Sequence, residues 1–381
     1  AGTELKVNLE ADIDIDASSV NARVEWSDLS WPLRDAMPNF FSPSGDLNVS
    51  GSVDQWTASG QLLLRIGDYP QGRFDIEGDG ERTSARLAIL NGAVLGGNVG
   101  GEAVIDWKDG INWNANIRAT NIDPEPLMPG WPGRLDTVLA IEAQHQPERY
   151  NIKLESLGGL LRGVVLNGQG GLLIDDNKLT FNRFELRTDE AALSLNGSST
   201  DPVGLSMNFN GNLPSLLLQG ARGQLQLEGR YSSHVDQPVL DMQMEALDLN
   251  WDDFGIRALA VNTRGNGTGG VIPLIEVNAS GLTWQDQSIN ELSLALSPQG
   301  AKHRLQAKLA GEKFALDAAM IMQSQDAAKL FDSPWSGLLD TFVVSLNQEH
   351  SFELLEPATF DWSNEGAQLN PVCLQNMDSA G

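Results

Sequence analysis

A single cysteine, Cys373, stands among 381 residues, so no internal disulfide can form and a disulfide-stapled secreted scaffold is excluded. Its neighbours Val372 and Leu374 predict a packed thiol rather than a reactive one. Histidine is scarce as well. His145, His234, His303 and His350 lie too far apart in the chain to form a local ligand pair, so zinc-type spacing is missing. Basic residues are few: 25 Lys and Arg stand against 51 Asp and Glu, a formal net charge of −26. That balance excludes a cationic nucleic-acid footprint and flat docking on an anionic bilayer, and it predicts a self-repelling, soluble surface. No apolar run reaches the length of a membrane-spanning helix. The chain opens Ala1-Gly2-Thr3 with neither an initiator Met nor a signal peptide, which reads as a piece of a larger protein whose anchor lies outside it.

Catalytic patterns are missing too. There is no G-x-S-x-G, and no histidine can be matched to Cys373. Asp12, Asp14 and Asp16 begin like a calcium loop but lack its Gly and distal Glu, and alternation puts all three on one solvated strand face. The stretch Gly96-Gly97-Asn98-Val99-Gly100-Gly101 lacks the helix start that a phosphate cradle needs. Ala103, Ile105 and Trp107 continue it as a strand, so it reads as a tight turn or sheet corner. The ten Trp residues read as core packing and strand-end anchors. No cofactor and no enzyme activity is expected.

What the chain does have is period-two alternation, the mark of strands with one apolar and one wet face. Leu5, Val7, Leu9, Ala11, Ile13 and Ile15 alternate with acidic and polar residues. So do Ile111, Trp113, Ala115 and Ile117; Leu205, Met207 and Phe209; Leu225 and Leu227; Met242 and Met244; Leu292, Leu294 and Leu296; and Leu305 and Leu309. After Met242, Met244 and Ala246 the apolar phase slips by one residue to Leu247, Leu249 and Trp251, predicting a bulge or corner. Helical periodicity is confined to residues 29–41, 124–131, 213–221 and 327–335, each long enough for a turn or two. Each leads into a glycine and a strand, at Gly45, Gly133, Gly223 and Gly337. These anchors predict a diverged unit of roughly 90 residues with an insertion in its last copy. No linker divides residues 1–381, and residues 262–270 make the best candidate loop. An apolar fraction of 41% suffices for one buried sheet face and is poor for two. Face-to-face sandwiches, a filled solenoid and an open trough all satisfy this pattern.

Several phrases narrow the choice. Asn121-Ile122-Asp123-Pro124 with Pro129-Gly130-Trp131-Pro132-Gly133-Arg134-Leu135, the run from Leu87 to Gly97 followed by Gly101 to Trp107, and Leu369-Asn370-Pro371-Val372-Cys373-Leu374 resemble the middle portion of the TamB family. These are AsmA-like, bridge-type lipid transfer proteins and the periplasmic component of the translocation and assembly module. The resemblance implies an all-β, elongated, U-shaped sheet, a β-taco with a few short helical turns and an apolar groove. It implies a periplasmic bridge, anchored in the inner membrane, that carries phospholipid to the outer membrane and supports outer-membrane assembly. The implied partners are phospholipids and the outer-membrane barrel TamA, the latter contacted by regions outside this chain. On that reading the alternating apolar positions listed above line the groove. The competing functions are a non-lipid scaffold or chaperone for outer-membrane barrels, acting by β-augmentation, and a tandem β-sandwich adhesin.

Overall fold

The computed structural model describes residues 5–14, 19–31, 40–145, 147–176, 178–200, 204–212, 220–234, 237–266, 274–285, 287–300, 302–324, 334–347, 350–363 and 366–377. Among them there are 26 strands and no helix. The chain divides into two compact units, residues 1–189 and 190–381.

The first unit is an antiparallel meander of β1 (Lys6–Asp14), β2 (Ser19–Trp31), β3 (Phe40–Gly51), β4 (Trp56–Ile66), β5 (Gly72–Gly80), β6 (Ser84–Val94), β7 (Gly97–Asp106), β8 (Asn112–Ile122), β9 (Gly133–Gln144), β10 (Arg149–Leu161), β11 (Val164–Asp175) and β12 (Lys178–Arg187). Successive strands from β1 to β12 pair with one another, all antiparallel. The hairpins are short for local reasons. Between β6 and β7 only Leu95 and Gly96 turn the chain, both at positive φ (52° and 73°), as a two-residue primed turn requires. The glycine run from Gly96 is thus a hairpin, as the sequence predicts.

The second unit continues the plan with β13 (Ala191–Ser198), β14 (Leu205–Asn212), β15 (Arg222–His234), β16 (Gln237–Trp251), β17 (Phe254–Asn266), β18 (Leu274–Trp284), β19 (Gln287–Gln299), β20 (Lys302–Ala310), β21 (Phe314–Ser324) and β22 (Trp335–Leu346). These pair in order, all antiparallel. Beside β22 the next strand is broken at Glu356-Pro357. Its two halves, β23 (His350–Leu354) and β24 (Ala358–Ser363), pair with opposite ends of β22 and carry β26 (Leu374–Asn376) and β25 (Gly366–Leu369) respectively. Pro cannot donate to the ladder, so the interruption falls where a proline stands.

Three sequence expectations change and one holds. Residues 262–266, read as the start of a loop, belong to β17, with Asn266 opposite Val239; residues 267–270 lie outside the described residues. Leu29 and Phe41, read at the ends of a helical turn, are strand residues of β2 and β3, and Trp335 likewise opens β22. In residues 124–131 one turn does close, because the amides of Leu127 and Met128 both donate to the Pro124 carbonyl at 2.9 Å. Cys373 is exposed rather than packed: it sits in the irregular stretch between β25 and β26, held by its carbonyl, which accepts from the Leu355 amide at 2.9 Å, with the thiol in water.

The anchor glycines fall on β3, β9, β15 and β22. Gly45 is needed because the Trp26 indole lies across it: a Cβ would come within 2.1 Å of Cζ2. That indole is fixed by its Nε1 donating to Ser42 Oγ at 2.8 Å, and Ser42 Oγ donates in turn to the Leu63 carbonyl at 2.6 Å. Within the first unit β3 and β9 begin at the same rim of the meander. Within the second, β15 and β22 begin at opposite rims, because an odd number of strand-to-strand steps separates them.

Candidate functional site

Register decides what the apolar positions build. Leu9, Val24, Leu47, Gly60, Ile76, Ile89, Gly101, Ile117, Leu139 and Leu154 stand directly opposite one another from β1 to β10. A second row runs from β1 to β12 through Ala11, Ala22, Val49, Ala58, Gly78, Leu87, Ala103, Ala115, Ile141, Ile152, Leu172 and Phe181. A third begins at Ile13 and passes through Trp56, Ile105 and Trp113 to Leu179. No charge interrupts these rows. The intervening row is wet: Glu10, Arg23, Asn48, Ser59, Glu77, Ala88, Glu102, Asn116, Ala140 and Lys153.

The second unit repeats the arrangement. Met207, Met242, Leu296 and Leu305 share one row; Phe209, Leu227, Met244 and Leu294 a second; Leu225, Leu292 and Leu309 a third. Leu205 lies one position further along β14, opposite Tyr231. Of the remaining positions, Val7 pairs with Trp26, Leu5 precedes β1, Ile111 sits in the turn before β8, and Ile15 lies outside the described residues.

These side chains are mostly half-buried, not sealed. The fully covered positions are largely alanines, such as Ala115, Ala143, Ala246 and Ala318, so the apolar face has no large buried core of its own. The first strand is more open still: Val7, Leu9 and Ile13 are 55%, 61% and 66% exposed. A twisted sheet is concave in one direction on each face. The wet side accordingly has a depression of about 900 Å³ across β1 to β6, edged by Glu10, Asp12, Glu77, Asp79, Arg23 and Arg86. Its Ser50 and Thr57 hydroxyls bond each other at 2.9 Å. Among the described residues no three His, Cys, Asp or Glu side chains converge as metal ligands.

One buried titratable group stands out. His303, 1% exposed, occupies the apolar face of β20 between Pro298 and Met322, with its ring edge-on to Trp335 at 5.5 Å. Burial pushes its pKa below the ordinary 6.5.

The sequence shows one phase slip, at Leu247; the structure shows that it recurs. Asp28, Asp248 and Gly281 have positive φ (59°, 51° and 62°), each three residues before the end of β2, β16 or β18. The phrase is the same in each: Asp28-Leu29-Ser30-Trp31, Asp248-Leu249-Asn250-Trp251 and Gly281-Leu282-Thr283-Trp284. A left-handed residue inside a strand reverses the alternation beyond it. Ala246 and Leu249 therefore share the apolar face, while Leu247 between them is exposed. Beyond the slip runs the apolar row Leu249, Ile256, Leu282 and Ile289. Beyond that row Trp251, Phe254 and Trp284 lie side by side. Spelling out the four-residue pattern Asp/Gly-Leu-polar-Trp, present three times in the sequence, would have found this shelf; following a single slip did not.

Within each unit, an antiparallel sheet with rows of apolar side chains on one face and a wet opposite face defines an amphipathic-sheet protein. The family model described as TamB, N-terminal domain, matches residues 2–380, and the chain belongs to the TamB family. The portion matched is the one described as N-terminal, whereas the sequence phrases pointed to the middle. Membership brings a TamB-type role in the periplasm, within the translocation and assembly module that includes TamA.

Proposed function

We propose that this segment is a passive conduit for phospholipid acyl chains, part of a periplasmic bridge between inner and outer membrane that supports outer-membrane biogenesis. The observation that carries it is the unbroken apolar row: Leu9 to Leu154 offers a lipid ten consecutive strands of aliphatic surface with no charge to cross. With neighbouring strands about 4.8 Å apart, that row alone is roughly 43 Å long. Acyl chains gain about 0.8 kcal/mol for each CH₂ taken out of water, and Leu, Ile, Val and Ala offer no directional contacts, so chains of generic shape slide along it. Head groups stay in water. In the full-length protein, mass spectrometry of co-purified material should find diacyl phospholipid in near-stoichiometric amounts. Protein that emerges lipid-free from membranes under mild extraction would sink the reading.

One observation favours a second function, a scaffold for barrel proteins. The outer edge of β1 has no partner strand among the described residues, and its apolar side chains are exposed, which suits β-augmentation. Crosslinks from Val7 to nascent barrel strands, without lipid, would select it.

A further inference from the structure

The aromatic shelf of the second unit is unusual in three respects. Trp251, Phe254 and Trp284 are 43%, 39% and 63% exposed, although they sit on the apolar face. The indole N–H groups of Trp251 and Trp284 donate to none of the described residues, in contrast to Trp107, whose Nε1 donates to the Arg82 carbonyl at 3.0 Å. They also stand at strand ends, on one rim of the meander. Because β16 and β22 run the same way, Trp335 at the start of β22 and its cross-strand partner Trp362 mark the opposite rim. Trp362 is 56% exposed and its N–H is likewise unused by the described residues.

Polarity therefore changes in order toward the rim. First come the aliphatic rows, ending in Leu249, Ile256 and Leu282. The indoles follow one same-face position later, about 6.6 Å on. The exposed turn carboxylates Asp252 and Asp253 come last, in water. The same sequence of hydrocarbon, amphipathic indole and charge is found at a membrane–water interface, where Trp sits at the level of the lipid esters.

We infer that the rim indoles of Trp251 and Trp284 seat the glycerol-ester region of a zwitterionic diacyl phospholipid. Its acyl chains lie inward on the aliphatic rows. Its phosphate and ammonium stay outside, with the ammonium toward Asp252 and Asp253. Free fatty acid fits worse, because its carboxylate would meet those acids. The inference rests on the conduit reading and adds to it the depth at which a lipid rides and the groups that hold it there.

Brominated lipids test it by quenching tryptophan fluorescence. Full-length protein is loaded with phosphatidylethanolamine brominated either near the ester or near the chain end, and compared with a Trp251→Phe, Trp284→Phe double variant. Both substitutions are at exposed sites and keep an aromatic ring, so the variant should fold, with an unchanged circular dichroism spectrum. Quenching by the ester-proximal probe should fall in the double variant, while quenching by the chain-end probe stays the same. If lipid is retained in both proteins but the two probes lose quenching equally, or the chain-end probe loses more, the rim assignment is wrong and the conduit stands. If neither protein retains lipid, both fall. Brominated fatty acid quenching these two indoles as well as the ester-proximal phospholipid would overturn the diacyl assignment.

Discussion

At the scale of single residues, His303 makes the chain's stability depend on pH in a definite direction. Its folded-state pKa lies below the ordinary 6.5 because burial disfavours the imidazolium. The unfolded chain therefore takes up a proton first as pH falls. The stability His303 contributes is present above pH 6.5 and is lost on acidification through and below that value. The neighbouring Arg304–Asp340 pair, 3.4 Å apart, alternates to the other side of the strand. Thermal melts of wild type and His303→Gln at pH 7.5 and pH 5, about a unit either side of an ordinary imidazole, should converge or cross on acidification. Parallel pH curves would show that His303 is not the titrating group. A second residue-scale expectation concerns Gly45, since a methyl there must displace the Trp26 indole and its bond to Ser42. Gly45→Ala should cost about 1–3 kcal/mol in denaturant unfolding.

Within elements, the strand-end corner is the feature most open to test. Asp248 and Gly281 occupy equivalent left-handed positions, at φ 51° and 62°, so Asp248→Gly should be tolerated. Asp248→Val forces a β-branched side chain into that region and should cost about 1–3 kcal/mol, read as a fall in midpoint temperature. Equal melting of the two variants would mean the corner is not set locally. The strands themselves were legible because alternation survives in nearly every one: Ile111 to Ala119 and Leu205 to Gly211 fix both element and face. So was the hairpin at Leu95-Gly96. The corners were only partly so: the slip at Leu247 was visible, but at Gly281 a different residue fills the same conformational role, and the Asp28 phrase stands at a strand end with too little alternation beyond it to show a slip. Cys373 was misread because Val372 and Leu374 are apolar by type, whereas in the irregular stretch between β25 and β26 the thiol faces water. Residues 262–266 were misread because Asn, Thr and Gly favour turns, yet β16 offers them a ladder to join.

For the whole molecule, what matters is that a conduit works in series. Ile117 lies in the row from Leu9 to Leu154, half-buried, and Asn116 lies beside it on the wet face, exposed. A carboxylate at position 117 still reaches water across an uncovered face, so folding should suffer little, but acyl chains would have to pass a hydrated charge. Ile117→Asp in the full-length protein should leave abundance near normal and abolish function in an outer-membrane permeability assay, and Asn116→Asp should do neither. Full function with Ile117→Asp at normal abundance would remove this row from the path. Loss of the protein itself would instead point to a closed core. The facing of each row followed from the sequence; which rim a given loop opens on did not, because that depends on a count of strands rather than on any local pattern. The odd number of strand-to-strand steps from β15 to β22 has a consequence for how such a chain can grow. Adding a hairpin lengthens a meander by two strands, roughly 10 Å, and leaves every downstream loop on its original side. Adding one strand exchanges left for right in everything that follows. Length in this architecture can thus drift in even steps with little penalty, whereas an odd step, like the one that precedes β22, re-addresses the whole remainder of the chain and should be rare among relatives of different length.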